Sequence, residues 1–167
     1  MGIQFEQFTV RRAVEADVEA IHRVLAANAA DTSLFQQSKG RIRRDLSDFV
    51  VVTDAGRLVG RAALHRHRRA NAEILAVAVD PVAHGHGIGT MLVRACMADV
   101  AGGTLVWLAT AKPAYFARHG FQRMSKWRLP PQVVLRKLKL VFEQPVRRRL
   151  PALFGRHTFM RLPGQRG

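Results

Sequence analysis

Three glycines at alternate positions, Gly85, Gly87 and Gly89, lie in the run His84-Gly85-His86-Gly87-Ile88-Gly89. Such a turn can hold an anion when it leads from a strand into a helix. The first turn of a helix has N–H groups without intrahelical partners, and the helix dipole puts partial positive charge there. Glycines let the backbone come close to a phosphate with no Cβ in between. Alternate glycines can also do no more than turn a chain. No Gly-Lys-Ser/Thr follows, so the run is not a P-loop, and it is a poor dinucleotide fingerprint because no acidic residue ends a second parallel strand at the required distance. His65 and His67 are two apart and share a strand face, but no Cys or carboxylate at ligand spacing accompanies them. They are expected to be exposed histidines, and no metal site is expected. Cys96, the only cysteine, falls on an apolar helical stripe and is expected in the core, with no role as a nucleophile.

The elements that must position this loop can be read from periodicity. Residues 5–12 alternate loosely and suggest a strand. Val18, Ile21, Leu25 and Asn28 fall at helical spacing within 16–29. A second helix is expected over 36–46, with Arg41, Arg43 and Arg44 exposed. Residues 49–53 and 58–65, joined by Asp54-Ala55-Gly56, read as a β-hairpin. A third strand over 72–79 leads into the glycine run. The helix that follows, from about Thr90, carries the stripe Leu92, Val93, Cys96, Met97 and Val100. Gly102-Gly103 ends it, and 104–109 is the next strand. Pro113 suits the first turn of a short helix through Arg118, stopped by Gly120, and 121–127 looks extended. The order is β-α-α-β-β-β-α-β-α-β, a mixed, mainly antiparallel sheet flanked by helices. Three strands in succession argue against an all-parallel sheet.

The 167 residues suit one domain with a real core, and 48% hydrophobic content argues against extensive disorder. No apolar run is long enough to span a bilayer, so no transmembrane segment is expected. The first ten residues lack the order of a signal peptide. A single cysteine excludes an internal disulfide, and a reducing, cytoplasmic setting is expected. The net charge of +15 is concentrated at one end: residues 122–167 hold twelve basic residues and one acid, Glu143, leaving only +4 for the rest. Such a field could attract anions or nucleic acid. However, Leu135, Leu138 and Phe142 lie at helical spacing opposite Arg136, Lys137 and Lys139. A helix packing on the sheet's end or on a second subunit therefore fits better than a nucleic-acid arm, and a homodimer through this stripe is left open.

Leu75-Ala76-Val77-Ala78-Val79-Asp80-Pro81, followed by the glycine run and then Met91-Leu92-Val93, resembles the central motif of the GNAT acetyltransferase superfamily. Downstream, Ala114-Tyr115-Phe116-Ala117-Arg118-His119-Gly120-Phe121 resembles that family's late helix and closing Gly-Phe. Residues 104–162, with Leu129-Pro130 and Arg156-His157-Thr158-Phe159-Met160-Arg161-Leu162, look like the acetyltransferase domain of bacterial N-acetylglutamate synthases. The resemblance implies a single-domain α/β GNAT acyl-CoA N-acyltransferase fold. Residues 1–128 would form its core, and 129–167 would add a basic helix and a closing strand to the same domain. It also implies acetyl-CoA as co-substrate, with the pyrophosphate on the amides of His84, Gly85, His86, Gly87, Ile88, Gly89 and Thr90. Ala76, Val77, Ala78 and Val79 would run beside the pantetheine arm. His84 stands where the family usually has Arg or Gln.

What the resemblance implies is transfer of an acetyl group to the primary amine of a small acceptor, with an amino acid as one candidate. The amine must be neutral, the thioester carbonyl polarised and the thiolate protonated. Glu73 is the first candidate for the base, since synthase-like members carry a Glu in this place; a surface carboxylate paired with Arg66 or Arg68 is the alternative. The family's acidic Tyr lies four residues before the closing Gly, where this chain has Phe116. Tyr115 is one residue early, about 100° around a helix, and is the remaining candidate for the acid. A strand amide such as that of Val77 would meet the oxyanion. Arg11, Arg41, Arg43, Arg44 and Lys112 are candidate carboxylate clamps. A protein or peptide amine as acceptor, and a non-catalytic CoA- or nucleic-acid-binding module, are the other readings.

Overall fold

A computed structural model describes residues 8–28, 36–67, 70–125 and 158–163. Seven strands form one sheet in the order β1-β2-β3-β4-β5-β7-β6. They are β1 Thr9–Arg12, β2 Phe49–Asp54, β3 Arg57–His67, β4 Asn71–Val79, β5 Leu105–Thr110, β6 Gln122–Arg123 and β7 Thr158–Leu162. Every neighbouring pair is antiparallel except β4 with β5. The helices are α1 Val18–Ala27, α2 Lys39–Arg44, α3 Ile88–Ala98 and α4 Pro113–Ala117. The mixed, mainly antiparallel sheet expected from the strand succession is the one found.

Alternation along the strands builds two cores. Phe49, Val51, Ala63 and Ala78 face α1 and α2, meeting Val18, Ile21, Val24 and Ile42. Val50, Val52, Ala62, Leu64 and Ile74 face the other way, onto the Leu92, Val93 and Cys96 stripe of α3. Met97 and Val100 pack at the edge of that second core, as the periodicity predicts. Phe116 and Phe121 complete it from α4 and the turn beyond.

Three local features depart from expectation. The helix after the glycine run starts at Ile88, two residues before Thr90, because Gly87 adopts a left-handed conformation (φ 75°) and caps it directly. Second, α2 is short. Arg41 is half-buried against Asp45 at 2.8 Å, while Arg43 and Arg44 are exposed as expected. Third, of the extended stretch expected over 121–127, only Gln122–Arg123 is a strand among the described residues. The expected helix around Leu135, Leu138 and Phe142 lies outside the described residues. The closing strand is found and sits between β5 and β6.

The β3–β4 pairing contains the irregularity that matters for function. Arg61 pairs with Ala78, but Ala63 pairs with Leu75, so Ala76 and Val77 of β4 face the single residue Ala62 of β3. Ala76 takes up the extra residue at φ 51°, a left-handed conformation costing a non-glycine about 1–2 kcal/mol. A bulge bends its strand, and β4 pairs with β5 only at Asn71↔Leu105, Ala72↔Val106 and Glu73↔Trp107. Beyond Glu73 the two parallel strands are no longer paired, leaving a break in the sheet between 76–79 and 108–110.

Candidate active site

At the outer end of β4, Asp80 caps a short 3-10 turn, its carboxylate accepting from the Val82 amide. The glycine run then leads into α3. Gly85 and Gly87 both have positive φ (85° and 75°), and a Cβ built on either meets nothing within 4 Å. The first helical hydrogen bond of α3 is Met91 N to Gly87 O, at 3.1 Å. The amides of Ile88, Gly89 and Thr90 therefore have no intrahelical acceptor. An open backbone cradle with aligned N–H groups at a helix start suits a pyrophosphate.

The alternation of hydrogen bonding in β4 orients its backbone. Asp80 N donates to Val59 O at 2.8 Å, so the N–H and C=O of Val79, and those of Val77 two residues earlier, point away from β3 toward the break. The Val79 carbonyl accepts from Asn28 Nδ2 at 2.9 Å and lies 3.1 Å from His84 Nε2. His84 thus folds back onto the strand end. Asn28 also bonds Val24 O at 2.9 Å, so the end of α1 is tied to the rim of the cleft. The sequence shows Asn28 only as a member of a helical stripe.

Glu73 stands where β4 and β5 separate and is 2% exposed, which overturns its expected alternative placement on the surface. Its Oε2 lies 3.4 Å from His67 Nε2, whereas Arg66 pairs with Asp99. Arg68 lies outside the described residues. His65 and His67 share a face as expected, but they are not exposed. The His67 side chain is almost fully buried, stacked on Trp107 at 5.8 Å, and His65 is part-buried with Nδ1 2.6 Å from Asp48 Oδ2. The rings meet edge-on at 4.8 Å. The sheet thus aligns Asp48, His65, His67 and Glu73 from its margin to the break. The sequence reading missed this because the alignment requires β3 and β4 to be in register.

Phe116 is buried in the core, so the family's usual acid position carries no ionisable group here. The buried Tyr115 hydroxyl has no hydrogen-bond partner among the described residues and lies 2.6 Å from where a Cβ on Gly89 would stand. Tyr115 therefore reaches the first turn of α3 from the far side of the cleft. Of the candidate clamps, Arg11 holds Asp17, Arg41 holds Asp45 and Arg43 holds Glu15. Arg44 is exposed, and Lys112 donates its backbone amide to Thr110 Oγ1. None of the five is part of the Glu73 cluster among the described residues. Cys96 is fully buried, and burial pushes its thiol up to about 12, consistent with a core role.

Sequence pattern alone does not single out Arg61. Arg61 is fully buried on the α1–α2 face of β3, its guanidinium over the Phe49 ring at 5.0 Å and its Nη1 donating to Gln37 Oε1 at 3.2 Å. The available signal was an Arg at an inward position of the apolar run Leu58-Val59-Gly60-Arg61-Ala62-Ala63-Leu64.

A sheet opened between two parallel strands, with a glycine cradle at the mouth and a buried carboxylate at the apex, is the layout of an acyl-CoA-dependent transferase. Residues 45–123 match the family described as Acetyltransferase (GNAT) domain. The chain is 34% identical over 121 residues to an amino-acid acetyltransferase of Mycobacterium tuberculosis, covering 70% of this chain and 69% of that protein. A solved Mycobacterium tuberculosis structure in complex with CoA is 26% identical, with a TM-score of 0.73 over 92% of this chain and 98% of that one. N-acetylglutamate synthase from Neisseria gonorrhoeae, solved with CoA and N-acetyl-glutamate, shares the fold at a TM-score of 0.75 and 24% identity. That match covers 94% of this chain but 35% of the synthase. The chain belongs to the GNAT family of acetyltransferases, whose acyl donor is acetyl-CoA. Among the described residues no helix is long and apolar enough to cross a membrane.

Proposed function

We propose that this protein transfers the acetyl group of acetyl-CoA to the primary amine of a small acceptor, an amino acid in the first instance, by direct attack of the amine. The observation that carries this reading is the position of Glu73: a buried carboxylate at the point where β4 leaves β5, beside His67. Acetyl-CoA supplies the activated thioester. In this reading the cradle of residues 84–90 holds the pyrophosphate, and Ala76 to Val79 guide the pantetheine arm. Glu73 accepts the proton of the incoming amine, and His67 and His65 offer that proton a way out toward Asp48. The Val77 N–H, turned away from β3, is the donor for the carbonyl oxygen. Tyr115, with its unpartnered hydroxyl at the start of α3, is the group that would stabilise the departing thiolate.

The test is thiol release from acetyl-CoA over a panel of free amino acids, simple amines and a peptide with a free N-terminus. Turnover with free amino acids supports the proposal; turnover confined to the peptide favours a protein acceptor instead. Glu73→Gln is expected to lower kcat by about 100-fold or more with CoA affinity preserved, the scale of a lost general base. Full activity of that variant at neutral pH would remove Glu73 from the role.

A further inference from the structure

Arg61 carries more than a structural role explains. Buried charges in proteins are paired or bind an ion, because leaving one uncompensated away from water is costly. Arg61 is fully buried, and no described carboxylate reaches it. Among the described residues its hydrogen-bond partner is the neutral side chain of Gln37, through Nη1. The donors without a partner are Nε and Nη2. These two form one edge of the guanidinium, whose parallel N–H bonds match the two oxygens of a carboxylate. Burial lowers its pKa to about 9, so the group remains a cation at neutral pH.

Its location supplies the second argument. Arg61 pairs with Ala78, beside the β4 bulge, and shares the sheet face of Ala63 and Ala78, against α1 and α2. Four residues further along β3, His65 pairs with Glu73 on the same face. A carboxylate meeting the unpartnered edge of Arg61 would therefore lie on the face that also carries the Glu73 carboxylate, four residues along β3 from Arg61. An acceptor bearing both an amine and a carboxylate has groups for both positions.

We propose that Arg61 anchors the carboxylate of the acceptor, making it the residue that selects amino acids over simple amines. This rests on the amine-acceptor reading above. The test compares kcat/KM for free amino acids with that for the corresponding amino-acid amides, which keep the amine and lose the carboxylate charge. The wild-type enzyme is expected to prefer its best amino acid over the matching amide by about tenfold or more, the scale of a hydrogen bond to a charged group. In Arg61→Met that ratio falls toward one. Arg61→Lys, which keeps the charge but not the fork, lowers it as well and serves if the Met variant does not fold. A wild-type enzyme indifferent to the carboxylate, or an unchanged ratio in the folded variants, overturns the assignment. Thermal melts separate the anchor from a structural residue. Removing an unpaired buried cation leaves the melting temperature of the free protein unchanged or raises it, whereas losing a structural residue lowers it. If no amine is acetylated at all, the proposed function fails, and the anchor is judged on binding alone. Free amino acids must then raise the melting temperature of the wild-type CoA complex and not that of Arg61→Met; without that difference the anchor fails too.

Discussion

Gly87 shows how much one residue decides. At φ 75° it caps α3, and a Cβ there meets nothing within 4 Å, so alanine suffers backbone strain but no clash. Gly87→Ala should therefore cost about 1–2 kcal/mol of stability with only modest loss of CoA affinity. Gly87→Glu adds the same strain and a carboxylate on the anion side of the cradle. It is expected to weaken CoA binding by a further factor of about 100 while the far-UV circular dichroism stays native. Equal CoA affinity in the two variants, measured by calorimetry, would show that the cradle does not hold the pyrophosphate. Residue identity makes the opposite point at Tyr115 and Phe116. The aromatic ring at the family's acid position faces the core, and the neighbouring hydroxyl reaches the start of α3 instead.

At the scale of elements, the cleft results from a conflict between two strands. The Ala76 bulge takes β4 out of pairing with β5, which pairs instead with β7 from Val106 to Thr110. The position of α3 against the sheet then sets the cradle, and Gly60 permits that position. A Cβ on Gly60 would stand 2.6 Å from Ile88 Cγ2 and 3.2 Å from Leu92 Cδ1, in the first two turns of the helix. Alanine would gain roughly 0.5–1 kcal/mol from backbone entropy within a strand, but overpacking a tight core contact costs about 1–3 kcal/mol. The clash is the larger effect. Gly60→Ala should lower the urea midpoint and, by displacing Ile88, weaken CoA binding. A raised midpoint would mean that α3 can shift without penalty.

For the whole molecule, ion pairs between elements hold the margins of the sheet. Arg12 and Arg66 converge on Asp99 at the end of α3, and Arg11 joins Asp17 at the start of α1 to β1 at 2.6 Å. The Arg11 hydrogen bond, helped by the Val14 amide, holds the Asp17 carboxyl below its ordinary value of 3.8. A depressed folded-state pKa means that the stabilisation is fully present above the ordinary carboxylate range. It is lost as pH falls through the lower folded value. Arg11 is 38% exposed, so solvent reduces the contribution to about 1 kcal/mol. Asp17→Asn should therefore lower stability by about that amount at neutral pH, and the gap to wild type should close in acid, as pH falls through the lowered folded-state pKa. Denaturant titrations at both pH values check this, and a gap of the same size in acid would exclude the ion pair as its cause.

The sequence by itself determined the succession of elements, the α3 stripe, the glycine cradle and the family, because periodicity, turn chemistry and a contiguous motif are local properties of the chain. Glu73 could also be named from the sequence, though not its burial or its neighbours. Only the tertiary structure decided that His65 and His67 lead from Asp48 to Glu73, that three of the candidate arginine clamps are occupied by other acids, and that Arg61 is a buried cation with two unpartnered donors. Each of these depends on which residue of one strand lies opposite which residue of the next. That register is set by a single extra residue at Ala76. Shifting the pairing by one reverses which side chains share a face, and local sequence pattern does not encode the shift.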